Sequence, residues 1–295
     1  MREKIVITGA TGFVGSNLTR YFLEKNKEVY LIVRPKSNIT FLENDSENLH
    51  VFRYDNDVNT LISFFKEVQP DCIFHLASNF IAEHNANQVD SLVESNITFG
   101  LHLLEAMKAA GVKKLVNTST SWQHYNNEAY NPVCLYAATK QAFESLIEYY
   151  AQAEGFKAIT LKLFDTYGET DTRPKLINLL NKFADEQTEL NMSPGEQILN
   201  LVHINDVCSA FDTAYRLLSN QKQPNHFKYA VSSDKSYKLK EVIHIFEAVT
   251  NKKINVIWGG KKYRKREVMT LWDKGETLPK WQAKITLEDG LKKYI

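Results

Sequence analysis

Residues 4–15 of the chain read KIVITGATGFVG. The apolar run before Gly9 predicts a short buried strand, and the pattern from Phe13 onward predicts a helix. Gly9 permits a tight turn between them, Gly12 lets the backbone approach a pyrophosphate, and Gly15 lets helix and strand pack closely. Phosphate oxygens would then meet the free N–H groups at the start of the helix. The stretch therefore predicts a dinucleotide site, and a glycine turn without a ligand is the alternative. Its expected contacts are Gly9, Thr11, Gly12, Phe13, Val14 and Gly15.

The same strand-then-helix pattern repeats as far as residue 165. Near-continuous apolar runs, typical of strands covered on both faces, lie at Lys4–Thr8, Val29–Val33, Leu49–Tyr54, Cys72–Leu76, Leu115–Thr118 and Ile159–Leu163. Helical patterns lie between them, at Phe13–Asn26, Thr60–Val68, Val89–Ala110 and Tyr136–Glu154. This alternation predicts an α/β fold, a Rossmann-type doubly wound parallel sheet with right-handed crossovers.

The second half of the chain has irregular spacing and predicts a smaller lobe. We expect a dinucleotide-binding domain over 1–165, which segments near 201–231 rejoin, and a discontinuous C-terminal α/β substrate lobe over 166–295. A helix is predicted to begin near Asn205, a good capping residue, with Asp206 in its first turn. Strands are also predicted at Leu201–Ile204, Phe227–Val231 and Ile254–Trp258, and further helices at Lys175–Asp185, at Leu239–Thr250 and from Thr286.

Composition and charge exclude several classes of protein. The 295 residues carry 36 Lys and Arg against 35 Asp and Glu, a formal net charge of +1, and 43% of them are hydrophobic. This apolar content excludes intrinsic disorder, and the near-zero charge argues against nucleic-acid and membrane-surface binding. Neither an uncharged run long enough for a membrane span nor a cysteine cluster is present. We expect a soluble cytoplasmic protein that binds no metal, nucleic acid or membrane.

The residues after the second predicted strand indicate which dinucleotide binds. An NAD enzyme places an acid there to hold the adenosine 2′-hydroxyl, but the sequence reads Arg34-Pro35-Lys36-Ser37. A guanidinium can bond the 2′-phosphate that a carboxylate would repel. We therefore expect NADP(H), held by Arg34 and Lys36, with Asp55 placed to bond the adenine amino group. A solvated basic turn is the alternative.

A tyrosine and a lysine lie four residues apart in a predicted helix, Tyr136 and Lys140. This spacing puts phenol and ammonium on one helical face. A nearby cation stabilises phenolate and brings the tyrosine pKa, ordinarily near 10, toward neutral pH. A surface pair is the alternative, but the preceding strand ends in NTSTS at 117–121, where hydroxyls meet ligands in such sheets.

These residues resemble a known family, the extended short-chain dehydrogenase/reductases that act on nucleotide sugars. Eight segments carry the resemblance in order along nearly the whole chain: TGATGFVG at 8–15, His75-Leu76-Ala77, NITFG at 96–100, LLEA at 103–106, YAATK at 136–140, Tyr167-Gly168, LVHINDV at 201–207 and LEDGL at 287–291. Within the family, WQH at 122–124 and LFDTYG at 163–168 look most like the NADPH-dependent 4-ketoreductases of the CDP-abequose and CDP-paratose synthase type. The resemblance implies further cofactor contacts at Leu76 and Ala77.

The resemblance also implies roles in catalysis. Thr120 binds the reacting oxygen of the substrate, and Ser119 is a weaker candidate for that contact. Tyr136 is the acid–base group, while Lys140 lowers its pKa and holds the nicotinamide ribose. Asn96 supports an ordered water behind Lys140, and a satisfied buried amide is the alternative for this residue.

Substrate contacts are implied in the second half. RKREV at 264–268 resembles the family's RPGDV stretch, whose arginine binds the nucleotide diphosphate, and so Arg264 is assigned to that group, with Lys175 as a second cation. A solvated basic face is the alternative. Asp165 replaces the family's usual asparagine, which leaves its role open between backbone N–H groups and a sugar hydroxyl.

Aromatic residues are expected around the sugar. Trp122, Tyr125 and Tyr167 are candidates because aromatic faces suit pyranose rings, although core packing is their commoner use.

Three chemistries share this scaffold. The 4,6-dehydratases need an Asp-Glu pair after the catalytic Ser or Thr, and this chain has Ser121-Trp122 instead. The 4-epimerases usually carry the ribose-binding acid that Arg34 replaces. We therefore expect NADPH-dependent reduction of the C4 keto group of a nucleotide-linked 4-keto-deoxyhexose, with CDP favoured.

The resemblance places that reaction in deoxy- and dideoxy-sugar biosynthesis for O-antigen and lipopolysaccharide, and implies a possible homodimer. A 4-epimerase, a non-catalytic NADP-binding regulator and a ketoreductase of free carbonyls are the alternatives.

Overall fold

The computed structural model describes residues 2–42 and 47–295. The strands are β1 Lys4–Thr8, β2 Glu28–Val33, β3 Leu49–Arg53, β4 Cys72–His75, β5 Lys114–Thr120, β6 Lys157–Leu163, β7 Asp165–Tyr167, β8 Glu189–Met192, β9 Ile198–Leu199, β10 Leu201–His203, β11 Asn225–Val231, β12 Tyr237–Lys238 and β13 Asn255–Trp258. The helices are α1 Phe13–Glu24, α2 Val58–Val68, α3 Val89–Val93, α4 Phe99–Ala110, α5 Leu135–Glu154, α6 Leu176–Glu186, α7 Ile204–Asn220, α8 Leu239–Thr250 and α9 Leu287–Leu291.

Seven strands form one sheet in the order β11-β6-β5-β4-β1-β2-β3. β1 pairs in parallel with β2 on one side and with β4 on the other. The strand order therefore reverses at β1, which creates the crevice where ligands bind in sheets of this kind. The predicted doubly wound parallel sheet is confirmed, with every strand and helix predicted up to residue 165 in place.

The carboxyl ends of β1 and β4 meet at this crevice. Thr8 lies opposite His75 in the register. The Thr8 hydroxyl bonds the His75 ring at 2.9 Å and accepts hydrogen bonds from the backbone N–H groups of Leu76 and Ala77, both at 3.1 Å. These bonds draw the glycine turn and the segment after β4 together.

The chain divides into two compact units. The first comprises Met1–Thr120, Cys134–Lys162 and Cys208–Tyr229, and the second comprises Ser121–Val133, Leu163–Val207 and Ala230–Ile295. The first unit has a core between sheet and helices that includes Phe65, Phe143 and Phe156. The second has its own core, which includes Leu180 and Phe246. Residues 121–133, which the sequence analysis assigned to the first domain, thus lie in the second unit.

Details of the second unit differ from the sequence prediction. Helix α7 begins at Ile204, one residue before the predicted start, with Asp206 in its first turn as predicted. Asn205 lies inside the helix, so its predicted role as the cap is wrong. His203 Nδ1 accepts the hydrogen bond of the Asn205 N–H at 3.2 Å. The Asp206 carboxylate instead accepts bonds from the backbone N–H groups of Lys284 and Ile285, at 3.0 and 2.8 Å.

Four short strands went unpredicted, because two to four residues are too few for a periodic pattern. They are β7, β8, β9 and β12, which pair with β10, β13, β12 and β9 respectively. Within the described residues, no helix has the length and apolar content that a bilayer crossing requires.

Candidate active site

The glycine turn is shaped by close packing. Gly9 has a φ of +72°, and a Cβ added there would lie 2.6 Å from the Ala77 nitrogen. A Cβ on Gly15 would lie 2.2 Å from the Gly9 carbonyl oxygen, so both positions require glycine. A Cβ on Gly12 would meet only that oxygen, at 3.3 Å. Gly12 is the cap residue of α1 and has no side chain with which to cap it. A helix start of this kind, preceded by a glycine turn, fits a pyrophosphate.

The loop after β2 is basic and held in place by a third cation. Arg34 and Lys36 are both exposed. Arg53, the last residue of β3, donates hydrogen bonds from Nη1 to the carbonyl oxygens of Pro35 and Ser37, at 2.9 and 3.1 Å. Arg53 was not predicted from the sequence, because nothing in its local pattern links it to a loop 16 residues earlier. The loop thus presents positive charge on a fixed backbone.

Asp55 lies exposed in the loop after β3. Its carboxylate accepts hydrogen bonds from the Asp57 N–H at 3.3 Å and from the Thr60 hydroxyl at 3.0 Å. These bonds lower the pKa of the Asp55 carboxyl. The residue therefore offers an ionised acceptor at the edge of the sheet.

Helix α5 carries the predicted catalytic pair. Tyr136 lies in its first turn and is half-buried. Burial raises the pKa of its phenol to about 12, while the neighbouring Ser78 acts in the opposite direction. Lys140 is not among the groups that shift this pKa, so the lowering by Lys140 that the sequence predicted is not found in the structure. Lys140 follows one turn later and is 1% exposed. Among the described residues, nothing accepts a hydrogen bond from its Nζ. Burial lowers the Lys140 pKa to about 8, and the nearby Glu144 carboxylate raises it.

Buried ammonium groups without an acceptor are rare in proteins, because desolvation of the charge is costly. The arrangement is therefore that of a group awaiting a ligand oxygen. His75 lies close enough for the Lys140 charge to lower its pKa further, after the larger effect of its complete burial. His75 is thus neutral and leaves Lys140 as the cation at this point of the crevice.

Ser119 and Thr120 separate at the end of β5. Successive side chains of a strand point to opposite faces, and the Ser119 hydroxyl donates to Glu144 Oε1 on α5. Lys162 Nζ lies 3.5 Å from the other oxygen of Glu144. Ser119 is therefore hydrogen-bonded within the first unit, and its assignment as a substrate contact stays a prediction. Thr120 ends the strand with 8% of its surface exposed.

Asn96 ties the segment after β4 to the catalytic helix. It lies in a wide π-helical turn over Glu94–Thr98 and is fully buried. Its Nδ2 donates to the Asn79 carbonyl and to the Thr139 hydroxyl, both at 3.0 Å. Its Oδ1 accepts from the Asn79 N–H at 2.7 Å. The amide is thus satisfied by protein groups, as the alternative interpretation expected.

Ser78 and Phe80, on either side of Asn79, lie close to Tyr136 and were not singled out from the sequence. Ser78 lowers the pKa of the phenol, and the Phe80 ring meets the Tyr136 ring edge-on, with centroids 5.0 Å apart and planes at 76°. Their position directly after His75-Leu76-Ala77 was the only available signal.

The second unit contains a pocket of about 540 Å³, counted to its open mouth. Trp122, Asp165 and Arg264 line it, as does Glu267, which the sequence analysis missed. The Arg264 guanidinium donates to Glu267 Oε1 at 2.7 Å and lies 5.0 Å from the centre of the Trp122 ring. Arg264 is therefore a positioned cation rather than part of a solvated basic face.

Asp165 is surrounded by cations. Burial raises the pKa of its carboxyl, and Lys175, Arg264 and Arg173 act in the opposite direction. Burial likewise lowers the pKa of Lys175, which Asp165 raises. Arg173 is paired with Asp171 at 2.8 Å. The Asp165 charge is thus balanced locally, which weakens the repulsion that a diphosphate would meet there.

Two of the three aromatic residues predicted around the sugar line the pocket, and the third does not. Trp122 and Tyr125 line the pocket. Tyr167 is 3% exposed within the core of the second unit, and its hydroxyl donates to the Thr286 carbonyl at 3.3 Å. Core packing is therefore the correct interpretation of Tyr167. Trp272 joins the pocket lining and stacks on His124, with centroids 3.8 Å apart.

The chain is similar in sequence to a known protein family. The model of the NAD dependent epimerase/dehydratase family matches residues 5–230. The chain belongs to that family. This confirms the resemblance stated from the sequence, and with it the prediction of an enzyme of this family.

Two relatives in the epimerase/dehydratase family match over nearly their whole length. A CDP-abequose synthase of Yersinia pseudotuberculosis is 26% identical over 293 residues, covering 99% of this chain and 98% of its own. One of Salmonella muenchen is 25% identical and covers 100% and 98%. A UDP-glucuronate 4-epimerase of Thermodesulfobacterium geofontis is also 25% identical, over 98% and 94%.

Solved structures agree on the fold. A UDP-glucose-4-epimerase from Stenotrophomonas maltophila with bound NAD has a TM-score of 0.87 at 17% identity, covering 99% of this chain and 97% of its own. A UDP-glucose 4-epimerase from Thermotoga maritima has a TM-score of 0.82 at 23% identity, over 98% and 96%. At these identities the likeness establishes the architecture alone.

Proposed function

We propose that the protein reduces the C4 keto group of a CDP-linked 4-keto-deoxyhexose with NADPH, in deoxy- or dideoxy-sugar biosynthesis. The observation that carries the proposal is the pair on α5. Tyr136 is a neutral phenol, and Lys140 is a buried ammonium with no acceptor among the described residues. The two full-length relatives named CDP-abequose synthase support the nucleotide and the sugar class.

The glycine turn and Lys140 are the groups that would hold the nicotinamide cofactor. The start of α1 would receive the pyrophosphate, and Lys140 Nζ would donate hydrogen bonds to the ribose hydroxyls. When bound, NADPH supplies a hydride to the C4 carbonyl carbon. Arg34 and Lys36 would hold the 2′-phosphate, on a loop that Arg53 fixes through its backbone.

The chain's own residues manage the oxygen and the proton. Thr120 and Tyr136 donate hydrogen bonds to the carbonyl oxygen and polarise it. As alkoxide develops, Tyr136 transfers its phenolic proton to that oxygen, which completes the new hydroxyl. Lys140 stabilises the phenolate that remains, and solvent returns the proton. With a pKa of about 12, the Tyr136 phenol keeps its proton at neutral pH and can donate it to the substrate oxygen.

Substrate binding is assigned to the pocket of the second unit. Arg264, fixed by Glu267 and Trp122, presents a guanidinium suited to a diphosphate. Trp122 and Tyr125 offer aromatic faces. We assign Lys175 to the same diphosphate. We assign Asp165 to a hydroxyl of the sugar, because a carboxylate repels a diphosphate but can accept a hydrogen bond from a neutral hydroxyl.

Two neighbouring chemistries differ in what the site must contain. Dehydration needs carboxylates after Thr120, where this chain has Ser121 and Trp122. A 4-epimerase is the second candidate, favoured by the relative named UDP-glucuronate 4-epimerase. An epimerase returns its cofactor oxidised after each turnover, whereas a reductase consumes NADPH.

The assay is NADPH oxidation with CDP-4-keto-3,6-dideoxyglucose, with CDP, UDP, GDP and dTDP as competitors. We expect turnover, strongest inhibition by CDP, and a loss of about 100- to 10,000-fold in kcat for Tyr136→Phe. Absence of NADPH oxidation would exclude the reductase. Equal inhibition by all four nucleotides would exclude the CDP preference but leave the reaction.

A further inference from the structure

Phe80 is an apolar ring exposed beside the catalytic phenol. It is 45% exposed, and its ring centre lies 5.0 Å from that of Tyr136, at an angle of 76°. Single exposed apolar residues are common on protein surfaces and need no explanation. What distinguishes Phe80 is its position, because its ring packs edge-on against the ring of the catalytic tyrosine.

The segment that carries Phe80 is fixed to the catalytic helix. Asn96 bonds both the N–H and the carbonyl of Asn79, at 2.7 and 3.0 Å, and donates to Thr139 on α5. The Asn96 side chain is fully buried, so these bonds form away from competing water. Phe80 follows Asn79 directly, and its ring contacts the ring of Tyr136. The ring is thus held by a rigid support rather than by a free loop.

We infer that Phe80 determines substrate specificity by packing against a deoxygenated carbon next to the reacting carbonyl, the C3 methylene of a 3,6-dideoxyhexulose. The inference rests on the proposed function, because that reaction brings the C4 oxygen to the Tyr136 hydroxyl. A substituent of the adjacent carbon then lies against the phenyl ring.

The chemistry of the ring sets the preference. When a methylene contacts a phenyl ring, both bury apolar surface away from water. This stabilises the complex in proportion to the area buried. A hydroxyl in the same place loses its hydrogen bonds to water and finds no partner in a phenyl ring. An apolar wall discriminates by up to about 100-fold against a substrate that adds one hydroxyl. The ring therefore selects a 3-deoxy sugar over its 3-hydroxy counterpart.

The test compares two substrates, CDP-4-keto-3,6-dideoxyglucose and CDP-4-keto-6-deoxyglucose, which differ in the C3 hydroxyl. We expect wild-type kcat/KM to favour the 3-deoxy compound by about 10- to 100-fold. Two variants of nearly equal size separate polarity from shape. Phe80→Leu keeps an apolar wall and retains most of that ratio, whereas Phe80→Asn offers hydrogen bonds and lowers it at least about fivefold.

A matched control is Tyr149→Asn. Tyr149 is another exposed aromatic of the first unit, at 57%, and meets Tyr150 edge-on rather than Tyr136. It should leave the substrate ratio unchanged. Circular dichroism of each variant checks that it folds. Because Phe80 is exposed, we expect both Phe80 variants to fold normally.

The outcomes separate the two proposals. If the wild type reduces both compounds equally well, or if Phe80→Asn keeps the wild-type ratio, the assignment of Phe80 is wrong while the reductase stands. If the wild type reduces neither compound, the proposed function fails and the assignment of Phe80 fails with it.

Discussion

Replacement of Lys140 by methionine is predicted to make the protein more stable while it abolishes the proposed function. Lys140 is 1% exposed, and burial lowers its pKa from an ordinary 10.5 to about 8. The folded chain therefore holds the proton less tightly than the unfolded chain does. At about 1.36 kcal/mol per tenfold change in affinity, the charge costs about 3 kcal/mol at pH 7.

The sign of the pH dependence follows from that lowered pKa. Between pH 8 and pH 10.5 the unfolded chain binds more protons at this lysine than the folded chain, so stability rises with pH. Below pH 8 the full cost is present. Lys140→Met removes the cost and keeps an apolar stem, and should raise the free energy of unfolding by about 3 kcal/mol at pH 7 but by only about 1 kcal/mol at pH 9.5. Glu144 retains its contacts with Ser119 and Lys162.

The assay is guanidinium unfolding at both pH values, followed by tryptophan fluorescence. Lys182→Met is the matched control, since Lys182 has a side chain 61% exposed and should change stability by less than about 0.5 kcal/mol at either pH. A loss of stability in Lys140→Met at pH 7, or an equal gain at both pH values, would refute the reasoning. In that case the lysine would be paired or hydrated in the folded state.

Two further predictions concern the cofactor. Arg34→Ala should raise the Kd for NADPH by about 10- to 100-fold and leave the Kd for NADH within about twofold, since only the former carries the phosphate that Arg34 would bond; fluorescence titration measures both, and equal losses would contradict the assignment. Gly15→Ala places a methyl 2.2 Å from the Gly9 carbonyl oxygen and should lower stability by about 1–3 kcal/mol. An unchanged midpoint of thermal unfolding would show that the turn relaxes freely.

The fold was predictable where the signal is local. The apolar run of β1, the glycine turn and the start of α1 form one continuous pattern, and their structure follows from neighbouring residues. Ser119 was predictable in principle as well, because strand alternation separates it from Thr120. The short strands β7 and β9 were not, since so few residues carry no period.

The site was predicted less completely because several of its contacts join distant parts of the chain. Arg53 meets the loop at Pro35, and Glu267 holds Arg264 in a pocket lined by aromatic residues. No motif in one segment identifies a partner in another. Phe80 gave only the weak signal of its position shortly after His75-Leu76-Ala77, because its place beside Tyr136 depends on the bonds that Asn96 makes.

The central claim is a net reduction at C4 that consumes NADPH. The most direct measurement uses NADPH with deuterium at both hydrogens of the nicotinamide C4, together with CDP-4-keto-3,6-dideoxyglucose, and examines the product by NMR. We predict one deuterium at C4 of the sugar for each NADPH consumed. In Tyr136→Phe we predict no deuterium in the sugar and no NADPH oxidation within the same time. A 4-keto sugar recovered unchanged from the wild type, with no loss of NADPH, would contradict the central claim. Interconversion of the two C4 epimers of the corresponding CDP-3,6-dideoxyhexose without net consumption of cofactor would identify an epimerase.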